Sequence, residues 1–311
     1  MQFGRYEISC TLLDDALLPP YKGSTFRGAF GGALKRVVCA VRHKDCPSCL
    51  LAKRCVYAAT FEAEARGGDP RGLMAARPHP YVIEPPMTAQ TRFFQGDSFD
   101  FSLLLFGEAN QNLPYYIYAF EQMGEGGVGK KIGETRARLR VMGVRAGGTN
   151  IFAVERRSLD PVPAPELPIP DLPKSDEPVS VTLTLETPLR LKQENRLQAS
   201  LPFHVLVRAM LRRISSLYAA YGGGEPPLDY RGLVARAAAV ETVSSRLRWH
   251  DWERYSHRQD QAMLMGGMLG SITYRGRLSE YLPLLEVCRE LHIGKQTSFG
   301  LGKLSWRVET P

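Results

Sequence analysis

The chain has no apolar run near the roughly 18 residues that a membrane-crossing helix needs, so nothing in it reads as a span. Its first residues, MQFGRYEISCTLL, lack the basic-then-apolar order and the small-residue cleavage site of a secretory signal. A cytoplasmic protein with no membrane partner is expected. Acid is short: 32 Asp and Glu stand against 40 Lys and Arg, giving a formal net charge of +8 and a pI near 9.2. That excess suits a nucleic-acid partner without requiring one. Histidine is scarce, at six residues, and four of the six cysteines crowd between Cys39 and Cys55. In a cytosolic chain such crowding suggests metal before disulfides.

One further absence excludes a function. GEGGVGKK, residues 124–131, imitates a phosphate-cradling P-loop, but Lys131 stands where magnesium binding needs Ser or Thr. The stretch also follows a predicted helix, whereas a P-loop follows a strand. It reads as a basic loop, either a plain connection or one whose amides, with Lys130 and Lys131, hold an RNA phosphate.

The length of 311 residues is enough for two domains. Residues 159–178, LDPVPAPELPIPDLPKSDEP, carry seven prolines, which oppose helix and sheet interior and favour an extended linker. The expected division is therefore 1–158, a linker over 159–178, and 179–311. Both halves pattern alike. RYEISCTLL and PVSVTLTLETPL alternate as strands, and STFRGAFGGALKRVVCAV and LPFHVLVRAMLRRISSLYAAYG repeat at three and four as helices. Strands are expected over 80–84, 98–106, 137–144, 150–155, 243–249, 270–274 and 303–308, with helices over 113–123 and 281–291. Strand–helix–strand–strand–helix–strand, twice, predicts an α+β protein of two tandem ferredoxin-like, RRM-like units.

Two clusters carry candidate chemistry. CAVRHKDCPSCLLAKRC spaces Cys39, Cys46, Cys49 and Cys55 as C-x6-C-x2-C-x5-C, a set that could close a tetrahedron on structural zinc or, as the other choice, hold an iron–sulfur cluster. His43, Lys44, Lys53 and Arg54 nearby are expected to lower the thiol pKa values. The second cluster, LHIGKQTSFGLGKLSW (291–306), contains no acid. Gly294, Gly300 and Gly302 permit positive φ and close approach of backbone to a ligand. Lys295 and Lys303 add charge, and Gln296, Thr297 and Ser298 add neutral donors. The expectation is an anion-binding concavity.

At these residues the chain resembles the CRISPR-associated endoribonucleases that cut precursor CRISPR RNA within its repeats, members of the RAMP superfamily. The resemblance rests on HIGKQTSFGLGKL with the upstream YRGRLSEYLPLLEVCRELHIG. LPPYKGSTFRGAFGGALKRVVC, the cysteine cluster followed by YAATFE, and GVGKK support it. It implies two ferredoxin-like domains facing a shared cleft. It also implies metal-independent cleavage in which the substrate's 2′-OH attacks, leaving a 2′,3′-cyclic phosphate. Histidine suits the proton transfers near neutral pH. His43, just after the first helix, is preferred for that work and His292 is its rival. Arg27, Lys130, Lys131, Gly294, Lys295, Gly300, Gly302 and Lys303 are the candidate RNA contacts. The implied partners are repeat RNA and effector-complex proteins. The alternative function is a non-catalytic RAMP subunit that binds guide RNA.

Overall fold

The computed structural model describes residues 1–42, 45–62, 77–156, 158–169, 171–173, 177–191, 199–256 and 261–309. The chain divides into two compact units, Met1–Leu167 with Ala220–Gly223, and Pro168–Ala219 with Gly224–Pro311.

The first unit contains β1 (Phe3–Leu12), β2 (Ala16–Leu17), α1 (Gly23–Val38), α2 (Val56–Phe61), β3 (Tyr81–Glu84), β4 (Arg92–Phe93), β5 (Ser98–Phe106) and α3 (Leu113–Gly126). It continues with β6 (Val128–Ile132), β7 (Thr135–Ala137), β8 (Leu139–Ala146) and β9 (Thr149–Ala153). Its sheet runs β3-β5-β1-β8-β9 with antiparallel neighbours, the ferredoxin-like order with β9 added at one edge. The strand period of two is visible in β1, where Tyr6, Ile8, Cys10 and Leu12 are buried between half-buried polar residues. Helix α1 buries Phe26, Phe30, Ala33 and Leu34 on one stripe, and α3 buries Tyr116, Ile117, Phe120 and Met123. Phe30 stacks on Phe120 at 4.5 Å between ring centroids, so the two helices are joined over the sheet by aromatic packing.

The second unit contains β10 (Val179–Leu189), α4 (Phe203–Tyr221, its last residues counted with the first unit), α5 (Tyr230–Ala237), β11 (Glu241–Ser245), β12 (Arg248–Ser256), β13 (Gln261–Gly276), α6 (Leu282–Leu291) and β14 (Leu304–Glu309). Its sheet runs β11-β13-β10-β14, the same order as the first, with β12 pairing along β13. The α+β, tandem ferredoxin-like architecture is thus present. Among the described residues no helix is long and apolar enough to cross a membrane.

Three sequence expectations change. The first part of the proline-rich stretch is not a free linker: Phe3 N–H donates to Pro165 O at 2.9 Å, Leu167 N–H donates to Met1 O at 2.9 Å, and Phe152 bridges to Leu159. Residues 159–167 therefore close the first unit. The strand expected over 243–249 is split between the end of β11 and the start of β12, and the one expected over 270–274 is part of the longer β13. The stretch from Gly127 onward is the β6–β7 hairpin, entered at a left-handed Gly127 with φ 76°.

Candidate functional site

Helix α6 delivers the glycine-rich segment. Its C-terminal carbonyl, Leu291 O, accepts from Arg213 Nε and Nη2 at 3.1 and 3.0 Å, so a buried guanidinium on α4 fixes the helix end where its dipole is negative. The chain then turns through His292 (φ 56°), Gly294 (φ 83°), Gln296 (φ 64°), Gly300 (φ 81°) and Gly302 (φ 76°). The three glycines do take the positive φ that their placement suggests.

What approaches them is the protein's own backbone. A Cβ on Gly294 would stand 2.8 Å from Arg190 O, and one on Gly302 would run into the Ile293 carbonyl. The segment is sewn to the end of β10: Lys295 N–H donates to Arg190 O at 3.1 Å and Gly302 N–H to Pro188 O at 3.2 Å. Ile293 N–H donates to Gly302 O at 3.0 Å, closing the loop on itself. Thr297–Phe299 form a single 3-10 turn, and Thr297, Ser298 and Phe299 are all buried. The expected open excursion is a packed, hydrogen-bonded turn, because each backbone group taken out of water must find a partner. Lys295 remains exposed and Lys303 half-exposed.

His292 is fully buried, and its Nδ1 donates to Leu301 O at 3.0 Å. A proton-transfer role was the expectation here. The ring has no exposed surface, and its bond to Leu301 O holds the two arms of the loop together.

In the first unit Lys130 and Lys131 are exposed on β6, beside the open depression lined by Asp14, Glu125, Gly126, Lys131, Glu134, Thr135, Arg136 and Arg138. Arg138 Nε lies 2.9 Å from Asp14 Oδ2, and this bond holds the Asp14 carboxyl below its usual range. Arg27, on α1, lies with its guanidinium carbon 5.0 Å from the centre of the Phe61 ring, so it is a half-buried stacking residue rather than an extended arm. His43 lies outside the described residues.

The cysteines of the proposed metal set lie as follows. Cys39, Cys46, Cys49 and Cys55 are all free thiols and half-buried. Burial pushes the Cys46 thiol up. The Lys35 ammonium opposes this, while Glu62, Cys55 and Cys39 add to it. Desolvation thus outweighs the basic surroundings that were expected to lower it. Among the described residues no group of three or more His, Cys, Asp or Glu side chains is placed to hold a metal ion.

Sequence reasoning missed Thr187 and Arg213, which support the loop from β10 and α4. Thr187 lies on a buried strand position and Arg213 within a mostly apolar helix, and a polar residue at such a place was the available signal.

Two ferredoxin-like units in tandem, the second carrying a glycine-rich turn between its last helix and last strand, define an α+β protein of the tandem ferredoxin-like class. The chain belongs to the family of the AF_1859_N N-terminal domain, matched over residues 1–164, and over residues 183–304 it matches the family described as CRISPR-associated endoribonuclease Cas6. An Archaeoglobus fulgidus relative, described as "Uncharacterized protein", is 25% identical over 294 residues, covering 92% of this chain and 91% of the relative. Among solved structures, a Cas6 product complex is similar at TM-score 0.54 and 17% identity, covering 98% of this chain and 99% of that one. Thermus thermophilus Cas6 is similar at TM-score 0.52 and 13% identity, covering 98% of each chain. A partial Cas6-RT-Cas1–Cas2 complex is similar at TM-score 0.57 and 12% identity, covering 99% of this chain and 46% of that one. At these identities the structural likeness speaks for the fold.

Proposed function

We propose that the protein cleaves precursor CRISPR RNA within its repeats. The observation that carries this reading is the Cas6 family match over residues 183–304, which contains the whole glycine-rich turn with its exposed Lys295. The net charge of +8 and the exposed Lys130 and Lys131 on a separate hairpin fit a phosphate-rich ligand.

The chemistry needs no group beyond RNA and side chains. A base removes the 2′-OH proton, and the 2′-oxygen attacks the adjacent phosphorus. The P–O5′ bond breaks as an acid protonates the leaving oxygen, giving a 2′,3′-cyclic phosphate and a 5′-hydroxyl. Cations stabilise the charge that builds on the phosphorane. In this proposal His43 moves the proton, and His292 positions the loop from within the core. Lys295, Lys303, Lys130, Lys131 and Arg27 are the proposed RNA contacts. Repeat RNA is the proposed partner. The similar Cas6 chain found within a Cas1–Cas2 complex makes other CRISPR proteins further proposed partners.

The test is cleavage of a repeat RNA by the full chain in EDTA, with a 2′-deoxy substitution at the scissile nucleotide as the control. Cleavage that persists in EDTA and disappears with 2′-deoxy supports the mechanism. Tight binding of the unmodified repeat without cleavage overturns it in favour of a binding subunit.

A further inference from the structure

Gln296 carries two costs in one residue. Its backbone is left-handed, with φ 64° and ψ 32°, a region that side-chain-bearing residues rarely occupy. Its Oε1 is also buried without a hydrogen-bond partner. Around it the loop is well satisfied: Lys295, Phe299, Gly300 and Gly302 all donate their amides to carbonyls, and Thr187 takes the Lys303 amide. Glycine is freely used in this loop at Gly294, Gly300 and Gly302, yet the left-handed position between Lys295 and Thr297 holds a long amide side chain. Strain and an unmet acceptor persist at sites where a bound state supplies the compensation.

Resting on the RNA-cleaving reading, we infer that Gln296 is a substrate-positioning residue whose side-chain oxygen turns out of the loop to accept a hydrogen bond from the bound strand. The chemistry of the unmet atom selects its partner. An amide oxygen only accepts, and phosphate oxygens only accept, so the complement is a donor: a ribose 2′-hydroxyl or an N–H of a base. The exposed Lys295 next to it supplies the charge for the backbone. The loop thereby divides its work, with Lys295 taking phosphate and Gln296 taking a donor that distinguishes RNA or reads a base.

The test compares the full-length wild type with Gln296→Gly and Gln296→Asn, reading thermal unfolding and equilibrium binding of one repeat RNA. Gln296→Gly relieves the left-handed backbone and removes the unmet oxygen, so its melting temperature is expected to equal or exceed that of the wild type. Its RNA affinity is expected to fall about five- to tenfold. Gln296→Asn also tolerates the left-handed region but falls one methylene short, and should bind as weakly; it serves if the glycine variant fails to fold.

Single 2′-deoxy substitutions and single base analogues lacking an exocyclic amine then locate the donor. The modification that removes it weakens the wild type by the same factor and the variant not at all. A 2′-deoxy hit assigns the ribose, and a base-analogue hit assigns the base. Unchanged RNA affinity in either folded variant, or additivity with every modification, overturns the inference while leaving the RNA-cleaving reading intact. A wild type that neither binds nor cuts the repeat overturns both.

Discussion

Thr187 Oγ1 donates to the carbonyl of Gly300 at 2.9 Å, across 113 residues of sequence. The same oxygen accepts from the Lys303 amide at 2.8 Å, so one buried hydroxyl ties the last two turns of the glycine-rich segment to β10. Thr187→Val keeps the shape and removes both bonds. The buried carbonyl and amide left behind should cost about 1–3 kcal/mol. Denaturant unfolding should show the loss, and affinity for repeat RNA should fall with it because the loop is no longer held.

The glycines of this chain are not equivalent. Gly302→Ala places a methyl group against the Ile293 carbonyl at φ 76°, and the loop must shift to accept it. Destabilisation above about 1–2 kcal/mol is expected from the backbone alone. Gly28 lies on the exposed side of α1, and a methyl group added there would meet nothing within 4 Å. Gly28→Ala should therefore stabilise by about 0.5–1 kcal/mol. Thermal unfolding of the two variants should move in opposite directions.

Lys22 is fully buried before the first turn of α1. Its ammonium donates to Thr88 O at 2.6 Å, Pro20 O at 3.2 Å and Pro19 O at 3.3 Å, and lies 5.6 Å from the Phe93 ring centre. Burial moves its pKa below the usual lysine value. The unfolded chain therefore holds this proton more tightly than the folded one. Between the lowered folded pKa and the unfolded value near 10.4, stability should rise with pH. Lys22→Met, which removes the titration, should flatten that part of the stability–pH profile. An unchanged slope would show that other groups set it.

The two histidines should separate cleanly. His292→Ala removes a buried ring and its bond to Leu301 O, so it should lower the melting temperature and weaken RNA binding together. His43→Ala should leave unfolding and binding near wild type and abolish cleavage. Cleavage that survives His43→Ala and fails with His292→Ala in a protein of unchanged stability would reverse these roles.

Much of the fold was legible because it is local. The alternation in RYEISCTLL and PVSVTLTLETPL marks β1 and β10, and the three-four spacing of Phe26, Phe30, Ala33 and Leu34 marks α1. Burial of one face imposes these periods wherever the elements form. The two-residue strands β2 and β4 and the short helices α2 and α5 were not legible, since elements so short carry less than one clear period. Lys130 and Lys131 were found as a basic pair, but a P-loop-like string concealed the hairpin that presents them. The cysteine spacing suggested a metal set, and among the described residues no three His, Cys, Asp or Glu side chains are grouped to hold an ion. Spacing limits how thiols can meet, but the surrounding packing decides whether they do.

Two ferredoxin-like units, the positive charge, and a turn near the C-terminus with glycine at Gly294, Gly300 and Gly302 all follow from the order of residues alone. Those are properties of composition, period and backbone sterics, each read within a short window. What the turn is depends on long-range packing: it is a clasp held by Thr187 and Arg213, with His292 inside and Lys295 outside. The partners of those groups lie up to 116 residues away in sequence, as for Thr187 and Lys303. Only folding brings them within hydrogen-bond distance, and burial then requires that their polar groups be paired. Gln296 keeps one oxygen outside that rule.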